Sequence, residues 1–274
     1  MDSNYKEFKI KDYVFKYYYK PKINLSNKDF QELKDKILLV NTNSGMNFNY
    51  GIFSKDSSVD YHFEKMIVCL MELNGETVGF QYLYIYDEQS PKIVHQGLIV
   101  IYKNIGVDLV YYNGIIVNIL LREKIGDYHT TIMASMPRLI EHSFEVFEEV
   151  WPSPKSNLAF QPKEYKKVVE FIFNNYVNTF FPIPEEHSLD LKRFVIEFKV
   201  QEKGFETNLR KMSKAASLEN NLFAMFWLDY TKNETLVPVG LFNQKAYCKN
   251  LTKIKDLVSE KDLLLPNFGE HLPA

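Results

Sequence analysis

The stretch from Pro91 to Arg138 constrains the fold of this chain more than any other. It opens on an extended apolar run, Lys92–Tyr102, and passes through a short turn, Lys103-Asn104-Ile105-Gly106. A long apolar segment, Val107–Leu121, follows, then a second turn at Lys124–Asp127 and another short run, Tyr128–Ser135. Strand, tight turn, helix, strand is a βαβ unit, which predicts that His95–Tyr102 and His129–Ala134 are neighbouring parallel strands. The nearly continuous apolar character of both suits strands buried on two faces. The turn points at a helix N-terminus, where unpaired N–H groups and the helix dipole favour an anion.

A competing reading lies inside the same stretch. Asn113-Gly114 is a hairpin turn signal, and Ile115-Ile116-Val117 is β-branched, so Val107–Tyr112 and Ile115–Leu121 could be two antiparallel strands. Clean alternation is missing, however. Leu109, Val110, Ile116, Val117, Leu120 and Leu121 follow the helical spacing i, i+1, i+7, i+8. Asp108 suits a first turn or N-cap, Arg122 and Lys124 suit a last turn, and Gly126 suits a stop. The spacing therefore predicts a helix.

Around this unit the chain reads as alternating strands and helices. Tyr5–Lys20 alternates charged and aromatic residues as an exposed strand or strand pair. Ser26 can cap a helix over Lys28–Val40, with Phe30, Leu33, Ile37 and Leu38 on one face. Met66–Leu73 and Thr77–Tyr86 flank Asn74-Gly75 and predict a hairpin. A helix is expected over Leu139–Val150, ended by Trp151-Pro152-Ser153-Pro154. Ser153–Pro162 is the best candidate linker. Beyond it, Lys163–Phe181 has helical spacing, Arg193–Val200 alternates as a strand, and Glu206–Leu218 is weakly amphipathic. Leu222–Tyr230 and Thr235–Phe242 read as a second hairpin around Lys232-Asn233, and Leu251–Leu264 as a last helix.

With 274 residues the chain can form one large domain or two modest ones. A net charge of −2 gives no global field for nucleic acid or an anionic membrane, so neither is expected as a partner. The N-terminus lacks the apolar core of a secretory signal, and Val107–Leu121 is too short to span a bilayer. Cys69 and Cys248 have no zinc spacing and suit free thiols in a reducing compartment. A cytoplasmic location is the expectation. The oligomeric state is not legible.

Taken together, Asn24–Trp151 gives helix, hairpin, strand, glycine turn, helix, strand, helix. In this order the chain resembles the GNAT family, the acetyl-CoA-dependent N-acetyltransferases. Two stretches carry the resemblance: the hairpin Met71–Phe80, and Tyr102-Lys103-Asn104-Ile105-Gly106-Val107-Asp108. The family's turn has a basic residue or Gln, two residues, Gly, one residue, then Gly or Ala. Lys103 and Gly106 match, while Asp108 stands where the second small residue belongs. The resemblance implies an α/β fold with a GNAT-like mixed sheet, a central βαβ unit and a C-terminal helix and hairpin extension. It divides the chain into a core over 1–155 and a C-terminal half over 156–274 that completes the sheet or forms a subdomain. It also implies an acyltransferase that uses acetyl-CoA or another acyl-CoA as co-substrate and a small-molecule or peptide amine as acceptor. The cofactor would meet Leu98, Val100, Lys103, Asn104, Ile105, Gly106 and Val107. A non-catalytic GNAT-like ligand- or protein-binding module is the alternative.

Amine acylation needs a base for the attacking ammonium, an N–H for the thioester oxyanion and an acid near the leaving thiolate. His95, with an ordinary pKa near 6.5, suits a base. Alternation places it on the face of Ile93, Gly97 and Ile99, where a hydrogen-bonded core histidine is the competing reading. Glu141 and His142, with Glu145, lie on the helix after the second strand and are the other candidates, or else a solvated face. The family often places a tyrosine on this helix as general acid, and here the comparable region offers Ser143 and Phe144. The six histidines show no metal spacing, and no GxSxG, P-loop or Rossmann fingerprint is present.

Overall fold

A computed structural model describes residues 5–46, 48, 51–103, 107–157, 159–180, 186–199 and 214–258, with the side chains of Val107 and Asp108 excepted. The protein is α/β with a mixed sheet. It divides into two compact units whose chain segments interleave. The first comprises 1–87, 97–126 and 247–274, and the second 88–96 and 127–246. The segment 153–162 lies within the second.

In the first unit, β1 (Lys6–Ile10) and β2 (Tyr13–Tyr19) form an antiparallel hairpin that turns at Lys11, which adopts a positive φ of 56°. A short helix α1 (Pro21–Asn24) leads to α2 (Asn27–Asn43). Ser26 caps α2 as its spacing predicts: the hydroxyl accepts the Asp29 N–H at 3.1 Å. The helix buries Phe30, Leu33, Ile37 and Val40, a single stripe. β3 (Met66–Leu73) and β4 (Glu76–Tyr86) pair antiparallel across Asn74-Gly75, whose φ values of 52° and 81° are those of a type I′ turn. β3 also pairs antiparallel with β2.

β5 (Ile93–Ile101) runs through both units. Its last five residues belong to the first, on the far side of β4 from β3. There Gly97 stands against Tyr82 and Gly79 against Val100, so β4 and β5 run antiparallel. α3 (Val107–Ile125) follows, and the hairpin reading of this segment is excluded. Tyr17, Cys69 and Gln81 are direct neighbours across β2, β3 and β4, and Asn113 of α3 bonds to all three. On the other face, Lys36 of α2 donates to Glu72 of β3 at 3.1 Å. Helices on both faces explain why β3 and β4 are buried almost without interruption.

In the second unit, Ile93–Gln96 of β5 pairs parallel with His129–Ile132 of β6 (Tyr128–Ile132), the geometry a βαβ connection requires. α4 (Pro137–Val146) and β7 (Glu148–Trp151) come next, then α5 (Lys163–Ile172), which continues through a π-helical turn, Phe173–Val177, into α6 (Asn178–Phe180). The helix expected to run to Val150 thus stops at Val146. Residues 148–151 are drawn into the sheet by β11 (Val239–Phe242), which lies antiparallel between β6 and β7. A second antiparallel sheet has the order β10 (Glu234–Leu236), β9 (Val195–Phe198), β8 (His187–Asp190).

The expected C-terminal hairpin of Leu222–Tyr230 with Thr235–Phe242 does not form. Leu218–Trp227 is a helix, α7, because Phe223 and Ala224 complete an apolar cluster with Ile140, Val195, Leu228 and Leu236. Pro238, which has no N–H to give a ladder, splits the other half into β10 and β11, and the two join different sheets. The last helix, α8, is Gln244–Ile254 rather than 251–264. Residues 206–213 of the expected amphipathic helix, and those from 259 onward, lie outside the described residues.

Candidate functional site

The end of β5 is the natural place to begin, because its two edges are treated differently. β6 pairs with Ile93–Gln96 alone. Past Ile132 the β6 chain turns to another partner: Ala134 and Leu236 exchange both backbone hydrogen bonds, at 2.9 and 3.0 Å. Gly97–Ile101 is thus paired along its β4 edge only, among the described residues. Gly97 is required there. A Cβ would stand 2.3 Å from the Tyr82 ring and 2.7 Å from the Tyr82 carbonyl oxygen.

The strand closes on a polar clasp. Tyr102 donates its backbone N–H to the Val78 carbonyl at 3.1 Å and its hydroxyl to the Thr77 carbonyl at 3.1 Å. The same hydroxyl meets Glu76 Oε1 at 2.5 Å, while the ammonium of Lys103 is ion-paired with Glu76 Oε2. The pairing raises the Lys103 ammonium and lowers the Glu76 carboxyl from their ordinary values. Of the residues expected at a cofactor, Leu98 is half-buried and Val100 buried on β5, Lys103 is exposed at its end, and Val107 opens α3. Asn104, Ile105 and Gly106 lie outside the described residues.

The three candidate catalytic side chains belong to the second unit and are engaged separately. His95 is 1% exposed, its Nδ1 2.7 Å from the Thr131 hydroxyl and its ring 4.1 Å from that of Tyr176. Burial pushes its pKa down to about 3, so the ring is neutral near pH 7 and shielded from solvent. Thr131 could not be singled out from sequence, but it follows from the parallel register, which pairs it with His95. Tyr176 sits on the π-helical turn.

Glu141, also buried, points the other way in chain terms, to the entry of α7. Its carboxylate accepts the N–H groups of Ala216 and Ser217, each at 2.8 Å, and the Asn220 amide at 3.0 Å, and it pairs with Arg138. Burial alone would raise this carboxyl. The four donors outweigh it and hold the pKa down at about 2. Ser217 provides no side-chain cap for α7, and Glu141 takes that role through space. His142 is half-buried on the same helix. The described contacts of His95 and Glu141 share no residue.

A further buried polar centre escaped the sequence. Asn113 Oδ1 accepts from the Tyr17 hydroxyl at 2.6 Å and the Cys69 thiol at 3.1 Å, and its amide donates to Gln81 Oε1 at 2.5 Å. Burial raises both the Tyr17 phenol and the Cys69 thiol, so neither supplies an anion near neutral pH. The row is a structural lock rather than a reactive set. Among the described residues no group of three or more His, Cys, Asp or Glu could hold a metal ion, and no helix is long and apolar enough to cross a membrane. The chain matches no family model and no curated protein.

Proposed function

We propose that the protein is a CoA-dependent acyltransferase that moves an acetyl or other acyl group to an amine of a small molecule or peptide. One observation carries the reading. The parallel β5–α3–β6 connection leaves Gly97–Ile101 paired on one edge only among the described residues, immediately before Lys103 and the N-terminus of a 19-residue helix. An extended strand edge suits the amides of a pantetheine arm. A cation and a helix start suit a diphosphate. The antiparallel strands β1–β4 before it and the placement of β11 between β6 and β7 after it agree with a GNAT-like sheet. Calorimetric titration with acetyl-CoA and longer acyl-CoAs tests the reading: saturable one-to-one binding is expected, and absence of binding to every acyl-CoA would remove it.

A second reading has its own support. His95 is buried and, with its pKa pushed down to about 3, is too weak a base to take an ammonium proton, and the Glu141 carboxylate is fully engaged. A GNAT-like module that binds an acyl-CoA without turning it over accounts for both. The two readings separate on one measurement, release of free CoA thiol in the presence of an amine panel.

A further inference from the structure

The Glu76 carboxylate is held in place by more than its ion pair. It opens β4, directly after the Asn74-Gly75 turn, and both of its oxygens are taken by consecutive residues at the end of β5, Tyr102 and Lys103. Tyr102 is in turn fixed to β4 by its backbone bond to Val78 and its hydroxyl bond to Thr77. The carboxylate is therefore delivered to the Lys103 ammonium by strand register, at the point where the chain leaves β5 for α3. The charge of Lys103 is already paired. An incoming phosphate gains from it only by displacing the carboxylate.

We infer that Glu76 sets the affinity and the selectivity of this site for a diphosphate: it holds Lys103 while no ligand is bound and yields it to a phosphate oxygen when one arrives. The inference rests on the acyl-CoA reading. A ligand with two adjacent phosphates can outcompete a single carboxylate, whereas a neutral pantetheine arm has nothing to exchange. Glu76 is on this view a positioning residue that acts through Lys103: the exchange lowers the affinity for CoA, leaves its uncharged fragments unaffected, and so narrows the preference between them.

The test is a double-mutant cycle read by calorimetry with two probes, CoA and pantetheine, on the wild-type protein, Glu76→Gln, Lys103→Gln and the double variant. Exposed pairs of this kind are worth a few-fold in an equilibrium constant, so Glu76→Gln is expected to tighten CoA about two- to five-fold at low ionic strength. The gain should shrink at high salt and vanish in the Lys103→Gln background. Pantetheine affinity should be the same for all four proteins. CoA binding that is saturable yet indifferent to Glu76→Gln would overturn the inference and leave the acyl-CoA reading standing. A gain that persists undiminished without Lys103 would overturn it too, since Glu76 would then act by direct repulsion. Absence of CoA binding in all four proteins would remove both. Thermal melting of each variant separates a lost fold from a lost site.

Discussion

Asn113 accepts the Tyr17 hydroxyl at 2.6 Å, a buried hydrogen bond between the middle of α3 and a strand 96 residues earlier in the chain. The same side chain also holds Cys69 and Gln81, so one amide ties a helix to three adjacent strands. Its replacement should be costly. Asn113→Leu strands a phenol, a thiol and an amide oxygen in the interior, and a loss of about 3 kcal/mol is expected. Tyr17→Phe removes a single donor while Cys69 still serves Asn113, and should cost about 1 kcal/mol. Urea unfolding of the two variants checks the ranking, and an Asn113→Leu midpoint equal to the wild type would refute it.

Asn113 also shows what the sequence could and could not convey. Beside Gly114 it carries a hairpin signal, and only the spacing of Leu109, Ile116 and Leu120 argues for a helix. Local periodicity was enough to recover α2 with its Ser26 cap, the Asn74-Gly75 hairpin and the β5–α3–β6 connection, because each depends on residues close in sequence. It failed where a partner arrives from far away. β7 is a strand because β11 lies beside it, and α7 is a helix because α4 offers Ile140 to pack on. Pro238 was the local clue that one run would serve two sheets. Alternation puts His95 on a core face, where it is buried, but its contact with Tyr176 depends on a helix some eighty residues on.

Glu141 caps α7 from another helix, and its removal should act at a distance. Glu141→Ala leaves two backbone N–H groups and the Asn220 amide without this acceptor, and Arg138 with Glu145 in its place. A loss of about 2–4 kcal/mol is expected. Hydrogen exchange gives the specific readout: the amides of Ala216 and Ser217 should lose protection first, with the first turn of α7 following. Unchanged exchange at both would rule out the capping role.

The protein should lose stability in acid in two stages. His95 and His62 have pKa values pushed down to about 3 and about 4 by burial, against an ordinary 6.5. The unfolded chain therefore binds more protons than the folded one below pH 6.5, and stability falls as the pH drops through that value. Each ring contributes a slope of up to about 1.4 kcal/mol per pH unit. Glu141, at about 2 against an ordinary 4.5, adds its own loss between those values. Chemical denaturation at fixed pH between 3 and 8 checks the order. His95→Gln, which cannot charge, should flatten the upper stage, and an unaltered profile would exclude His95 as its source.

Two glycines should respond in opposite directions to the same methyl group. At Gly97 a Cβ would lie 2.3 Å from one atom of the Tyr82 ring and 2.7 Å from the Tyr82 carbonyl, and the backbone there cannot yield without parting β4 from β5. Gly97→Ala is expected to cost about 1–3 kcal/mol. At Gly114, inside α3, nothing lies within 4 Å of the position a Cβ would take. Alanine is there a better helix former by about 0.8–1.0 kcal/mol. Gly114→Ala should therefore raise the urea midpoint with an unchanged slope. Because Gly114 belongs to the pair that also reads as a hairpin turn, this variant tests the helix itself: a tight turn in place of α3 would make alanine harmful, and a lowered midpoint would count against the βαβ connection on which the candidate site is built.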